Sequence, residues 1–130
     1  MTALATIDLH ELAESFRALL TDLPPSASYG RDDVVSVIAD IERLIDGWRP
    51  SDEDIAGAAH IDEWSLRGEI LFGWISRHPW EPHRKIRSNT SGVIVVDRDL
   101  RWGRSIGRFY QLGEAEAPEQ AEALRGLRVV

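Results

Sequence analysis

The chain has 130 residues, of which 43% are hydrophobic and 28% are charged, and it carries a formal net charge of −7 and no cysteine. A chain of this length and composition is typical of one soluble globular domain, so we predict a single domain that spans residues 1–130. Without cysteine, the chain has no disulfide, no thiolate metal ligand and no cysteine nucleophile.

The amino-terminal residues, Met1 to Asp8, lack the basic segment and the long apolar core of a signal peptide. No stretch of the sequence approaches the roughly 20 apolar residues that are needed to cross a bilayer. We therefore expect a cytoplasmic protein that makes no membrane contact.

Charge is segregated along the sequence. Residues 1–76 carry 5 basic and 15 acidic side chains, residues 77–110 carry 8 and 3, and residues 111–130 carry 2 and 4. The sign of the local net charge therefore reverses twice along the chain. This segregation predicts an acidic helical part and a basic β part in one molecule.

Two amphipathic helices are predicted near the amino terminus, because apolar residues recur at helical spacing from Leu9 to Leu23 and from Val34 to Trp48. Asp8 is a suitable N-cap for the first helix, and Asp32 or Asp33 is suitable for the second. A pair of prolines ends the first helix, since neither proline can continue it.

A third helical region is predicted after these two. The motif Ser51-Asp52-Glu53-Asp54 is a capping box, which predicts a short helix to about Ala59. After a break near His60, apolar residues favour a longer helix that ends by Arg77, because a His-Pro pair follows and the residue before proline avoids the helical region. Residues 1–77 are therefore predicted to form the acidic helical part.

Residues 85–112 are predicted to form a basic antiparallel sheet of two to three strands. The run from Val93 to Val96 is entirely β-branched and is flanked on both sides by turn-forming residues. A second strand is predicted from Trp102 to Leu112, and Lys85 to Ser88 supplies a short first strand.

Residues 113–130 are predicted to form a polar linker and a short C-terminal helix that starts at Pro118. The tail after Gly126 is expected to fray. The predicted fold class is α+β, with four to five helices packed on a small antiparallel sheet of two to three strands.

An arginine- and aromatic-rich surface is the main candidate binding site. Alternation along a strand places Trp102, Arg104, Arg108 and Tyr110 on one face. Such side chains can anchor a protein partner, or can hold phosphates and stack on bases. The alternative is that these arginines pair with the acidic helices of the same chain. The full set of candidate binding residues is Arg87, Arg98, Arg101, Trp102, Arg104, Arg108, Tyr110 and Trp80.

We predict a non-enzymatic interaction or regulatory protein that binds a macromolecular partner, foremost another protein, through a charged face and without a cofactor. A nucleic-acid binder that uses the basic hairpin is the first alternative, although a net charge of −7 disfavours non-specific binding to duplexes. The sequence contains no P-loop, no dinucleotide fingerprint and no nucleophile elbow.

The second alternative is a hydrolase or metal enzyme at His78 and His83, with Lys85 nearby. Two imidazoles beside a cation can carry out general acid–base chemistry on a phosphodiester, and Asp97 would be a third ligand for a metal. The simpler interpretation is that the histidine before Pro79 is a hydrogen-bonded group at the end of a helix. We assign no metal to the chain.

Three short motifs resemble a small, uncharacterised family of bacterial and phage-borne proteins. Members of that family carry His-Pro, a strand of the form Ile-x-[Thr/Ser]-Ser and a closing Arg-x-Tyr-x-Leu-Gly. The matching segments cover about a quarter of the chain, and the hydroxyl pair of the strand is interrupted at Asn89. The resemblance implies that the β segment is one structural unit and implies no activity. The segments are His78-Pro79, Ile86-Arg87-Ser88 and Arg108-Phe109-Tyr110-Gln111-Leu112-Gly113.

Overall fold

The computed structural model describes residues 8–23 and 30–130, and the chain divides into two compact units, residues 1–49 and 50–130. The proline pair that was predicted to end the first helix lies outside the described residues. The prediction of a single domain stays a prediction. None of the described helices has both the length and the apolar character that a bilayer crossing requires.

The first unit contains α1 (Leu9–Asp22) and α2 (Arg31–Ile45), as predicted. The Asp8 side chain caps α1 by accepting a hydrogen bond of 2.8 Å from the backbone N–H of Glu11. The N-cap of α2 is Gly30, not an aspartate. Each helix buries one apolar stripe, as its spacing predicts. The buried apolar residues are Leu12, Ala13 and Phe16 in α1 and Val34, Val37, Ile38, Ile41 and Leu44 in α2.

The second unit is built on a six-stranded sheet. The strands lie in the order β3-β2-β1-β6-β5-β4, and all neighbours are antiparallel except β1 and β6, which are parallel. The sheet therefore consists of two three-stranded antiparallel meanders that are joined by one parallel seam. The elements of this unit are α3 (Asp52–Ala56), β1 (Ala59–Arg67), β2 (Ile70–Ser76), β3 (Ile86–Asn89), β4 (Val93–Val96), β5 (Trp102–Ser105), β6 (Phe109–Leu112) and α4 (Pro118–Arg125).

The prediction of a small antiparallel sheet with two to three strands is wrong, because the sheet has six strands and is mixed. The described residues contain four helices, so the α+β class itself holds. The acidic helical part does not reach Arg77. The residues predicted to form its last helix are β1 and β2, joined by a two-residue turn in which Gly68 has a φ of 64°.

A bulge in β1 explains why this region looked helical. The pairing of β1 with β2 shifts register between Asp62 and Ser65, and Glu63 has a φ of 49°. One extra residue at the bulge allows Ile61 and Trp64, which are three positions apart, to point into the same core. Such a spacing is also that of a helix face. A Cβ atom at Gly73 would lie 2.6 Å from a carbonyl oxygen of the bulge, so glycine is required opposite it.

The single long strand that was predicted from Trp102 to Leu112 is also wrong, because β5 and β6 are separated by a tight turn. The backbone N–H of Ser105 donates to the carbonyl of Arg108 at 2.8 Å. The hydroxyl of Ser105 accepts from the backbone N–H groups of Gly107 and Arg108 at 3.2 and 3.1 Å. This turn reverses the chain and places the two halves of the predicted strand side by side.

The main hydrophobic cluster of the second unit contains residues of β1, β2, β4, β6 and α4. Trp64 is its largest side chain, is 1% exposed, and donates from its indole N–H to the carbonyl of Gly113 at 3.0 Å. Leu124 of α4 packs into the same cluster, which confirms the predicted C-terminal helix. The buried members of the cluster are Ala59, Ile61, Trp64, Leu71, Ile75, Val93, Val96, Tyr110, Leu112 and Leu124.

The C-terminal residues cover one edge of the sheet instead of fraying. The backbone N–H of Val96 donates to the carbonyl of Arg128 at 2.9 Å, and the N–H of Val130 donates to the carbonyl of Val96 at 3.0 Å. The N–H of Arg98 donates to the carbonyl of Val130 at 2.9 Å. Strand β4 is therefore paired along both edges, with β5 on one side and with the C-terminal residues on the other.

Candidate binding face

Three residues of the predicted Arg/aromatic surface are buried. Trp102 is 1% exposed, Arg104 is 2% exposed and Tyr110 is 5% exposed. The turn between β5 and β6 places Trp102 and Tyr110 on opposite sides of the sheet, because Trp102 pairs with Gln111 and Tyr110 pairs with Gly103. The prediction that Trp102 and Tyr110 share one face is therefore wrong. Burial of Tyr110 also raises the pKa of its hydroxyl.

The other predicted arginines of this hairpin differ in their surroundings. Arg101 is exposed, but its Nε lies 3.0 Å from Asp97 and its Nη1 lies 3.3 Å from Asp52, and the bond to Asp97 raises the pKa of Arg101. Arg98 is exposed at the turn before β5. The guanidinium of Arg108 lies 5.9 Å from the ring of Trp80, which is 83% exposed. The predicted internal ion pairs thus exist for Arg101.

The loop between β2 and β3 contains the predicted histidines. The backbone N–H of Trp80 donates to Nδ1 of His78 at 3.1 Å, and the two rings meet edge-on at 5.4 Å. Burial, and secondarily the charge of Arg108, lowers the pKa of His78. His78 is therefore a neutral, hydrogen-bonded loop group near pH 7, whereas His83 is exposed. Within residues 8–23 and 30–130, no group of three or more His, Asp or Glu side chains is placed to hold a metal.

A different set of residues forms the most distinctive surface of the second unit. We call it the aromatic–cation face and define it as Arg67, Phe72, Trp74, Lys85 and Arg87. The guanidinium of Arg67 lies 4.4 Å from the ring of Phe72, and Nζ of Lys85 lies 5.9 Å from that of Trp74. The guanidinium of Arg87 lies 5.1 Å from Phe72 and 5.6 Å from Trp74. Each ring therefore has two cations within cation–π distance.

The strand register directs this face away from the core. In β2, Leu71 and Ile75 point inward, so Phe72 and Trp74 point outward. Trp74 pairs directly with Arg87 of β3, which places both side chains on the same outward side. Both rings remain partly exposed. Lys85 and Arg87 were predicted from the sequence as candidate residues, whereas the two rings and Arg67 were not, because the residues of β1 and β2 were predicted to form a helix.

The cations of the aromatic–cation face form no salt bridge among the described residues, although the charge of Lys85 contributes to the lowered pKa of Asp62. In the part of the chain that the structure describes, no ion pair involves Arg67, Lys85 or Arg87. They differ in this respect from Arg101, whose charge is met by Asp97 and Asp52. Their positive charge is therefore available to an external group.

Acidic residues border the face on the side of β1. Glu63, Glu114 and Glu116 line a cleft of about 320 Å³ together with Arg87 and Ala115. The neighbouring carboxylate of Asp62 accepts a hydrogen bond of 2.8 Å from the backbone N–H of Glu114, and this bond lowers its pKa. Carboxylates therefore border the face on the side of β1, whereas its cations lie at the end of β1 (Arg67) and in or just before β3 (Arg87 and Lys85).

His60 lies at the end of the face, on the outward side of β1. It pairs with Ser76 of β2 and with Gln111 of β6. Burial lowers the pKa of His60, the charges of Arg77 and Lys85 lower it further, and Asp62 opposes them. His60 is therefore neutral at pH 7. In the sequence, the signal for the pairing of His60 with β2 was the segment from Ile70 to Ser76, whose residues alternate between the two sides of a strand.

The pKa of His60 gives the first prediction. Because the pKa in the folded chain lies below the ordinary value of 6.5, the unfolded chain binds the proton first as pH falls. Stability should therefore decrease as pH falls from 6.5 towards the folded pKa and should change no further through this group below it. An NMR titration should place the His60 midpoint below 6.5. Lys85→Gln should raise that midpoint and Arg98→Gln should leave it unchanged; a midpoint above the ordinary value would contradict the prediction.

Comparisons with known proteins identify no relative. No protein-family model, no curated protein and no solved structure matches the chain. The resemblance of the His-Pro, Ile-Arg-Ser and Arg-Phe-Tyr-Gln-Leu-Gly segments to an uncharacterised family stays a prediction.

Proposed function

We propose that the chain is a non-enzymatic binding protein whose aromatic–cation face engages an anionic macromolecular partner. The observation that carries this proposal is the presence of three cations that lie within cation–π distance of two rings and form no salt bridge among the described residues. Elsewhere in the same unit, Arg101 and Arg125 pair with carboxylates of their own chain. The chain contains 22 acidic side chains, but none of those in the described residues forms a salt bridge with these three cations.

The stacked arrangement prepares the cations for binding. A guanidinium that lies over a ring keeps its N–H donors at the edge of its plane, where they can still reach a phosphate or a carboxylate. Packing against the ring also limits the rotamers of a long side chain before the partner arrives, which reduces the entropy lost on binding. The outward side of β1, β2 and β3 therefore offers positioned charge on a broad surface, which suits a polymer of regularly spaced negative charges.

Matched charge variants test the proposal. We expect the chain to bind at least one of three polyanions, namely heparin, polyglutamate and oligothymidylate, at about 50 mM salt, with affinity that falls steeply as salt increases. Arg87→Gln should weaken binding by about tenfold and reduce the salt dependence. Arg98→Gln removes the same charge from an exposed site outside the face and should change affinity less than twofold, a limit of about 0.4 kcal/mol.

Two results would overturn the proposed function. One is that none of the three polyanions binds at low salt. The other is that Arg98→Gln weakens binding as much as Arg87→Gln does, because the effect would then come from net charge and not from the face. The predicted protein partner and the predicted location in the cytoplasm stay predictions.

A further inference from the structure

We infer that the partner of the aromatic–cation face is a single-stranded nucleic acid, with two consecutive bases on Phe72 and Trp74 and their phosphates on the cations between and beside the rings. This inference rests on the proposed function and names the class of the anionic partner. Phe72 and Trp74 project from the same side of β2 with one residue between them. Their separation along the strand is therefore roughly 7 Å, which is close to the length of one nucleotide in an extended strand.

The cations alternate with the rings along this direction. Arg67 lies against Phe72, Arg87 lies between Phe72 and Trp74, and Lys85 lies against Trp74. The order along β2 is thus cation, ring, cation, ring, cation. A single-stranded nucleic acid has the same alternation of phosphate and base, so one strand that runs along β2 would meet rings and cations in the same order.

Arg87 lies between the two rings. Its guanidinium is nearly equidistant from the two rings, at 5.1 and 5.6 Å. The phosphate that links two stacked bases would lie at this place. When a base approaches, the long arginine side chain can exchange its contact with the ring for a charge-assisted hydrogen bond to that phosphate. The base then takes the place of the guanidinium over the ring, and the stacking surface is retained.

The surrounding charges favour a single strand over a duplex. A duplex keeps its bases stacked inside, so the rings would have no base faces to contact, whereas an unpaired strand exposes them. A duplex is also wide enough to bring its second backbone towards the acidic border of Glu63, Glu114 and Glu116. Like charges at that border would repel the second strand, so the face is suited to a polymer that follows β2 and β3. An acidic peptide would satisfy the cations but would leave the two rings without partners.

The experiment separates the bases from the phosphates. The anisotropy of labelled oligothymidylate is compared with that of an abasic oligomer that has the same length and the same number of phosphates. We expect the normal oligomer to bind at least about tenfold more tightly, because each stacked base contributes to affinity. Phe72→Leu and Trp74→Leu should each weaken binding of the normal oligomer by at least about fivefold and should leave binding of the abasic one nearly unchanged.

Control variants keep the result interpretable. Trp80 was a candidate binding residue from the sequence, but it lies in the loop between β2 and β3 and is not part of the aromatic–cation face. Trp80→Leu removes this ring, which is 83% exposed, and the inference predicts that affinity does not change. Trp74→Phe retains an aromatic ring and should restore most of the affinity that Trp74→Leu loses. Circular dichroism of each variant shows that it is folded before its affinity is compared.

Each outcome bears on one of the two proposals. Equal binding of the normal and abasic oligomers, or binding of polyglutamate without binding of oligothymidylate, would overturn the inference and leave the proposed function in place. Failure of every polyanion to bind would overturn both. Tighter binding of the normal oligomer that depends on Phe72 and Trp74 would support both.

Discussion

Replacing Trp64 by alanine should cost about 3–5 kcal/mol of the free energy of unfolding, which is the range for deleting a large buried aromatic side chain. Trp64 is 1% exposed and lies in the core cluster with Ile61, Leu71 and Leu124. The substitution would also leave the carbonyl of Gly113 without its indole donor. A domain of this size has roughly 5–15 kcal/mol of stability in total, so the variant should lose between about a fifth and all of it.

Urea denaturation followed by circular dichroism measures the effect. Trp64→Phe is the graded variant, because it keeps most of the apolar volume and removes only the hydrogen bond and part of the ring. It should lie between the wild type and Trp64→Ala. Trp80→Ala removes the same side chain from a position that is 83% exposed, and it should shift stability by less than about 0.5 kcal/mol. Similar losses for Trp64→Ala and Trp80→Ala would refute the assignment of Trp64 to the core.

Removing residues 126–130 should both destabilise the chain and make it aggregate. The deletion removes three backbone hydrogen bonds to β4 and its turn, together with the bond of 2.6 Å from Nε of Arg128 to the carbonyl of Ile94. At about 0.5–1.5 kcal/mol for each of these four bonds, the loss is roughly 2–6 kcal/mol. It also uncovers the edge of Val93–Val96, whose side chains are all at most 3% exposed. An uncovered, apolar edge strand is a template for pairing with other chains.

Size-exclusion chromatography with light scattering measures the second effect, and urea denaturation measures the first. Arg128→Met is the control, because it removes the side-chain bond but keeps the backbone pairing of the C-terminal residues. This variant should remain monodisperse to the same degree as the wild type while losing part of the stability. A truncated chain with unchanged stability and unchanged size distribution would show that the C-terminal pairing does not protect the edge.

The elements that were predicted correctly have signals that are local in sequence. Asp8 caps α1 and Ser51 caps α3 through hydrogen bonds to residues three positions ahead. Pro118 marks the start of α4, and the β-branched run of Val93–Val96 is β4. Such signals depend on nearby residues only, so they survive in the folded chain.

The elements that were missed depend on contacts between distant residues. The helical spacing of Ile61 and Trp64 comes from a bulge, and the need for Gly73 opposite that bulge becomes visible only when the two strands are paired. Once β1 and β2 were assigned to a helix, Phe72 and Trp74 could not be placed beside Arg87. Lys85 and Arg87 were therefore predicted as candidate residues, but the two rings that they contact were not.

In the basic hairpin, residues that were predicted to form a binding surface are buried. Alternation in the sequence correctly places Trp102 and Arg104 on one side of a strand, but it does not show whether that side is covered. Both residues are almost completely buried, at 1% and 2% exposure. A pattern of alternating bulky residues is compatible with a solvent-facing surface and with a buried one, and only the packing of the sheet distinguishes them.

The parallel seam between β1 and β6 has a consequence for how the second unit folds. Each meander joins strands that are close in sequence, so its hairpins can close quickly. The seam instead pairs Ala59 with Tyr110 and Ile61 with Leu112, which are about fifty residues apart. The entropy of closing that long loop is lost before the core contacts between the meanders form. Refolding should therefore be limited by the pairing of β1 with β6, which joins the two meanders, more than by the formation of the hairpins within them.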